Sequence, residues 1–328
     1  MFRKTWKHIK LLLILIITIA IFPKSIFPRK SSDTQKNGLE YYQKLNDSET
    51  RLLNYKDNKE ALKLKVTQLE IINKSRLMFN AEPVKMDILA SRVANKMSME
   101  ASENKFVGHW NLAGEKPYHR YGFAGGYDHV SENAFGEWSS DNYDPSSSNI
   151  GSMMESGHRT FMDEKAPYDG HKKTIIDKSH NFVGIGFNLS GNQFRYYEEF
   201  IDRYFEFENI PEEVKINQPF SITVRTSSDD FLYYMIVYRE KYPQAIKAAQ
   251  IMKRGSYDDY TNEEYLIIPA WELSSYRSGS TYKIPLNFSK DGLFYINIYS
   301  DKKEIRKPTS LNTKGKTSGS GIVIKVIN

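Results

Sequence analysis

The sequence predicts an α/β domain of layered α-β-α type, followed by a small all-β domain. Three observations carry this. Residues 61–80 repeat apolar or inward-facing positions at three- and four-residue spacing: Leu62, Val66, Leu69, Ile72, Arg76 and Phe79. The period changes to two in 182–189, where Val183, Ile185, Phe187 and Leu189 alternate with Gly184, Gly186 and Asn188. Beyond Phe205 the helical pattern mostly vanishes, and short apolar segments recur between turn residues.

The 328 residues suit about two domains. Lys and Arg number 46 against 40 acids, a net charge of +6. Seven of the basic residues lie in 1–30, where there is no acid, so the remaining chain is close to neutral. No basic, aromatic-interleaved stretch argues for nucleic acid. The absence of cysteine excludes disulfides, thiolate nucleophiles and Cys zinc sites. A domain of about 140 residues buries enough surface without disulfides. The 13% aromatic content leans towards β-structure in part of the chain.

Residues 1–30 read as a signal peptide or signal-anchor. Arg3, Lys4, Lys7 and Lys10 precede residues 11–22, all apolar except Thr18. Twelve helical residues span ~18 Å, against a bilayer core of ~30 Å. No small-x-small cleavage site follows, so secretion and N-terminal anchoring both stay open. Either places the protein outside the cell, touching membrane only through this segment. Residues 31–61 read as a polar linker or loosely packed pre-helix, with a helix around 39–53.

The domain of residues 62–205 begins with the helix over 61–80, ended by Pro83. A second helix starts after the N-cap Asp87, with Ala90, Val93, Ala94, Met97 and Ala101 as its stripe. Residues 106–130 read as loop, given Gly114, Pro117, Gly122, Gly125 and Gly126. A third helix covers 150–165. Strands at 182–189 and 193–200 form a hairpin across Ser190-Gly191-Asn192. Gly184 and Gly186 on one strand face predict a close neighbour there. In the domain of residues 206–328, strands fall at 220–224, 233–238, 266–270, 282–288, 293–299 and 322–326, with one short helix at 245–253. This is a β-sandwich pattern, with an immunoglobulin-like arrangement as one reading.

Glu132 stands between apolar residues in Val130-Ser131-Glu132-Asn133-Ala134-Phe135. At 100° per residue, Glu164 lies within about 20° of Met153, sharing a face with Gly157 and Thr160. A carboxylate on an inward face needs a partner or a polar cleft. The same count points His158 and Glu155 elsewhere.

Three ordered signatures now converge. Asn73 and Arg76 lie in the first helix. Phe106-Val107-Gly108-His109 is followed by Gly114, Pro117, Arg120 and Gly122, closing on Glu132-Asn133. Gly170-His171, Ile175 and Ile176 lead into Val183-Gly184-Ile185-Gly186. Over about residues 62–204 the chain resembles the CAP superfamily (cysteine-rich secretory proteins, antigen 5, pathogenesis-related proteins), in its cysteine-free bacterial SCP-domain branch. The resemblance implies an α-β-α sandwich whose cleft is lined by two His and two Glu. The matching positions are His109, His171, Glu132 and Glu164, and the histidines would hold a divalent metal, often zinc. Two departures stand out. Lys172-Lys173-Thr174 replaces the usual Arg and Asn after the second histidine. Glu164 and His171 are only seven positions apart, which keeps Glu155 as the fallback fourth residue.

The functional expectation is a secreted or surface-anchored, non-catalytic module. It would bind metal, an extracellular ligand such as lipid or a cell-wall component, or a surface partner. The alternative is a zinc-assisted hydrolase of peptide, ester or wall substrates, with Glu132 and Glu164 as catalytic groups.

Overall fold

The computed structural model describes residues 38–255, 257 and 263–328; the leader expectation lies outside them. Among the described residues no helix is long and apolar enough to cross a membrane. The described residues form one compact unit.

The first half is a three-layer arrangement. Its sheet runs in the order β1-β3-β4-β2, from β1 (Lys85–Met86), β3 (Phe182–Ser190), β4 (Gln193–Asp202) and β2 (His129–Trp138). The β1–β3 pair is parallel, and the rest are antiparallel. α2 (Lys59–Met78) and α5 (Ser147–Met162) cover one face, packing on Val183, Ile185, Phe194 and Tyr196. α3 (Ile88–Glu103), capped by the Asp87 side chain on the Ala90 N–H, covers the other. Its backbone lies directly on β3. A Cβ on Gly184 would stand 2.4 Å from the Ala90 carbonyl carbon, and one on Gly186 2.2 Å from that of Ala94. The two glycines supply the close approach that the sequence predicts.

α1 (Leu39–Ser48) lies in the segment expected to be loosely packed, and it is firmly docked instead. Tyr42 is buried, and the buried Arg92 guanidinium donates to the carbonyls of Asn46, Glu49 and Arg51. The buried Lys65–Asp57 pair at 2.7 Å ties the following loop to α2. α4 (Pro117–Phe123) sits where the sequence reads as loop, and α6 (Gly170–Ile176) lies in a stretch to which the sequence assigns no element. The edge strand β2 also escapes the alternation rule.

The second half is a two-sheet sandwich. One sheet orders β10-β11-β7-β5, from β10 (Arg277–Ser278), β11 (Thr281–Leu286), β7 (Phe220–Arg225) and β5 (Glu206–Glu208). The other orders β6-β14-β12-β8-β9, with β13 (Thr317–Ser318) also on β12. Its strands are β6 (Glu213–Lys215), β14 (Ile322–Ile327), β12 (Gly292–Asp301), β8 (Phe231–Glu240) and β9 (Glu264–Pro269). Ile222, Val224 and Ile284 meet Val237, Phe294, Ile296 and Ile324 between the sheets.

The outer face of the larger sheet is also buried. Tyr238, Leu293, Tyr295 and Val323 pack against Tyr118 and Tyr121 of α4, Leu89 and Val93 of α3, and Val130. Burial on both faces explains why β12 reads as an almost unbroken apolar run. The two halves therefore share one continuous apolar contact. After β8, residues 241–255 carry α7 (Ala248–Ile251) back over the first half. The short α8 (Ala270–Leu273) follows β9.

Candidate functional site

The four side chains singled out in the sequence meet around the edge strand β2. His109 comes from the α3–α4 loop and His171 from the first turn of α6, and their ring centroids are 6.3 Å apart. Each histidine is oriented by a glutamate. His109 Nδ1 lies 2.8 Å from Glu132 Oε1, and His171 Nδ1 lies 2.5 Å from Glu164 Oε1. A carboxylate only accepts, so Nδ1 carries the hydrogen in both rings. In the neutral imidazole Nε2 is then the lone-pair nitrogen.

Glu132 is fully buried. Its second oxygen accepts from Arg120 of α4, which also donates to the His109 carbonyl at 2.6 Å. Arg120 is buried, which works against its charge, yet Glu132 and Glu199 outweigh that and hold it protonated. Glu164 is anchored by backbone: its Oε2 accepts from the N–H groups of His171 at 3.0 Å and Lys172 at 3.4 Å. The structure corrects the route to this position. α5 ends at Met162, so Glu164 lies in the loop beyond it and not on a helical face; Thr160, placed on the same face by the count, is exposed. Glu155, the fallback, points to solvent beside Arg159 and takes no part.

His158 is a second correction. It is buried on the inner side of α5, with Nδ1 2.8 Å from Glu198 Oε1. The helical count fails because the inward face of α5 is broad, spanning Met153, Met154, Gly157, His158 and Phe161.

Sequence reasoning misses further members of the site. On β4, Glu198 and Glu199 point to opposite faces, in register with Asn133 and Glu132 of β2. Glu199 is buried against Glu132 and 3.6 Å from Arg120. Burial pushes its carboxyl well above the usual range, and the adjacent Glu132 charge pushes it further. Burial raises Glu132 as well, against the pull of Arg120. Of the two, Glu199 is pushed up further, because Glu132 has the closer cation in Arg120. Asn133 Nδ2 donates to the His171 carbonyl at 3.1 Å and to Glu198 at 3.2 Å. Two adjacent acids inside an aromatic strand were the available signal for this layer.

The second half of the chain also reaches the site. Tyr257 packs against His109 at 4.8 Å between centroids with the rings tilted by 56°, and its hydroxyl accepts from the Glu132 N–H at 3.0 Å. Ile246 N–H donates to the Leu112 carbonyl, and Arg254 lies 4.8 Å over the Trp110 ring. The His109 side chain is accordingly 13% exposed, against 34% for His171.

No family model and no curated protein matches this sequence. Among solved structures, an extracellular protein containing an SCP domain from Bacillus anthracis str. Ames matches at 15% identity and a TM-score of 0.32, over 42% of this chain and 39% of that one. An outer surface protein from Borrelia burgdorferi matches at 16% identity and a TM-score of 0.33, over 43% of this chain and 92% of its own length. The chain thus spans about two fifths of the Bacillus protein.

Proposed function

We propose that this is an extracellular CAP-type binding protein, secreted or anchored by residues 1–30, whose β2-edge cleft captures a divalent cation such as Zn²⁺ together with an external ligand. The observation carrying this reading is the pair of Glu-oriented imidazoles. Fixing Nδ1 on a carboxylate and presenting Nε2 is how proteins prepare histidine for a metal. The donor set fits zinc, with His109 and His171 as protein ligands and solvent or ligand atoms completing the shell. Among the described residues no group of three or more His, Asp or Glu surrounds one point, so the proposed site rests on the two histidines alone. A bound ion would supply a positive charge able to hold an anionic or carbonyl oxygen of the ligand.

The same geometry favours binding over hydrolysis. Both oxygens of Glu132 are engaged, by His109 and Arg120, and both oxygens of Glu164 by His171 and the Lys172 N–H. Each carboxylate is thereby committed to orienting an imidazole, which supports a binding role. Calorimetric titration of Zn²⁺ into the whole chain tests the reading. Binding should weaken at least about tenfold in His109→Ala and His171→Ala, and by a comparable factor in Glu164→Gln. Unchanged affinity in both histidine variants refutes it. Metal-dependent turnover of ester or peptide probes, lost in Glu132→Gln with the fold intact, would establish the hydrolase instead.

A further inference from the structure

We propose that Ser75, His158 and Glu198 form a second reactive centre, in which Ser75 is a nucleophile towards apolar acyl esters. The three residues come from α2, α5 and β4. Ser75 Oγ lies 2.9 Å from His158 Nε2, and His158 Nδ1 lies 2.8 Å from Glu198 Oε1. Glu198 can only accept, so Nδ1 holds the hydrogen and Nε2 accepts from the serine hydroxyl. That is the order and tautomer required for a serine–histidine–acid relay.

The acid end is rigid. Glu198 is wholly buried, and takes hydrogen bonds from the Tyr196 hydroxyl at 2.6 Å and from Asn133 at 3.2 Å; Gln68 in turn donates to Tyr196. His158 is 2% exposed. Only the serine end opens outward, at a half-buried position. A helical serine commonly bonds back to the carbonyl four residues earlier, whereas this hydroxyl is turned to an imidazole.

What flanks Ser75 sets the substrate class. Met78 and Phe79, three and four residues on, share its side of the chain. With Leu77 they form a run of exposed apolar side chains, 58% exposed at Leu77 and 72% at Met78. Such a patch suits an apolar acyl group. Lys172 Nζ, 5.0 Å from the Phe79 ring, brings a positive charge to the same side.

The step balances without a cofactor. Ser75 Oγ bonds to the carbonyl carbon while its proton passes to Nε2. The carbon–oxygen bond to the alcohol breaks, and His158 protonates the departing oxygen. Water then adds to acyl-Ser75 by the same route, releasing the carboxylic acid. Glu198 stays ionised throughout as a positioning residue.

The test uses the whole chain and a tagged alkyl fluorophosphonate, where an Oγ–P bond forms and fluoride leaves. Peptide mass mapping should find Ser75 modified well ahead of every other serine, and Ser75→Ala unmodified at that peptide. Heat-denatured protein should lose the preference. Glu198→Gln, checked for an intact melting transition, should slow labelling by about 10³–10⁴-fold, the scale of losing the correct tautomer. Labelling of Ser75 no faster than that of exposed serines in the native wild type overturns the proposal, whatever the variants do.

Discussion

Replacing Arg76 by methionine tests what holds the lower part of the first half together. The guanidinium is buried and carries no carboxylate contact. It donates to four carbonyls: Glu82 at 2.8 Å, Ile175 at 2.6 Å, Asp177 at 2.9 Å and His180 at 2.9 Å. It thereby joins α2 to the end of α6 and to the approach to β3. Burial pulls its pKa down to about 10, against the pull of Asp177 and Asp202, so it remains a cation at neutral pH. Methionine removes the charge and its desolvation cost together, leaving only the orphaned carbonyls to count. Glu82 and Asp177 are exposed residues whose carbonyls water can reach, whereas Ile175 and His180 are buried. Two buried carbonyls at about 1–3 kcal/mol each give a loss of roughly 2–6 kcal/mol. Lysine, a point donor without the planar fork, should recover part of it. Urea unfolding of the whole chain, followed by circular dichroism and aromatic fluorescence, reads both variants. A loss below about 1 kcal/mol for Arg76→Met would refute the carbonyl accounting.

Gly186→Ala should lower the melting temperature by several degrees. Its Cβ meets backbone that cannot rotate away, and overpacking typically costs about 1–3 kcal/mol; a shift under about 1 °C contradicts the packing described. Glu199→Gln should leave stability nearly unchanged at low pH. The folded pKa of Glu199 is raised, so its contribution is intact below the unfolded value of about 4.3 and lost as pH rises above it. Stability of the wild type relative to the variant should therefore fall from about pH 4 upward, and a flat difference between pH 4 and 8 argues against a proton on Glu199. Tyr257→Ala should raise the rate at which diethyl pyrocarbonate modifies His109, with His171 as internal reference; an unchanged ratio means that Tyr257 does not cover the ring. A fragment of residues 38–204 should lose its cooperative melt, since Tyr118, Tyr121 and Val130 would be stripped of their cover; a sharp transition in that fragment contradicts the shared core.

What was legible in the sequence follows from where each residue faces. α2 has one buried stripe, so periodicity finds it, while α3 is buried on most sides and is found from its Asp87 cap and its Ala, Val and Met spacing. A close approach at Gly184 and Gly186 was readable from the glycine pair on one strand face, but that α3 is what approaches was not. β2 was not readable: as an edge strand it carries Glu132 and Asn133 into a polar site, which breaks the alternation. α4 was hidden by its Pro and Gly content, although Tyr118 and Tyr121 are buried. His109, Glu132 and His171 were found through the resemblance, and Glu164 also through a helical count whose premise fails beyond Met162. The raised Glu199 carboxyl and the Tyr257 contact depend on pairing between distant segments, which no local pattern encodes.

The shared core bears directly on the His109–Glu132 pair. α4 is only seven residues long, yet it faces two ways. Arg120 reaches Glu132, while the Tyr118 hydroxyl donates to Glu240 of β8, and Lys116 Nζ and His119 Nε2 each lie 3.3 Å from the same carboxylate. His119, Lys116 and Tyr118 overcome the cost of burial and hold Glu240 below the usual carboxylate range. A short helix cannot tilt at one end alone. Any shift of the β8 edge must then be felt at Arg120, and through Glu132 in the orientation of His109. The second half thus helps support the His109–Glu132 pair through α4 and also covers it with Tyr257.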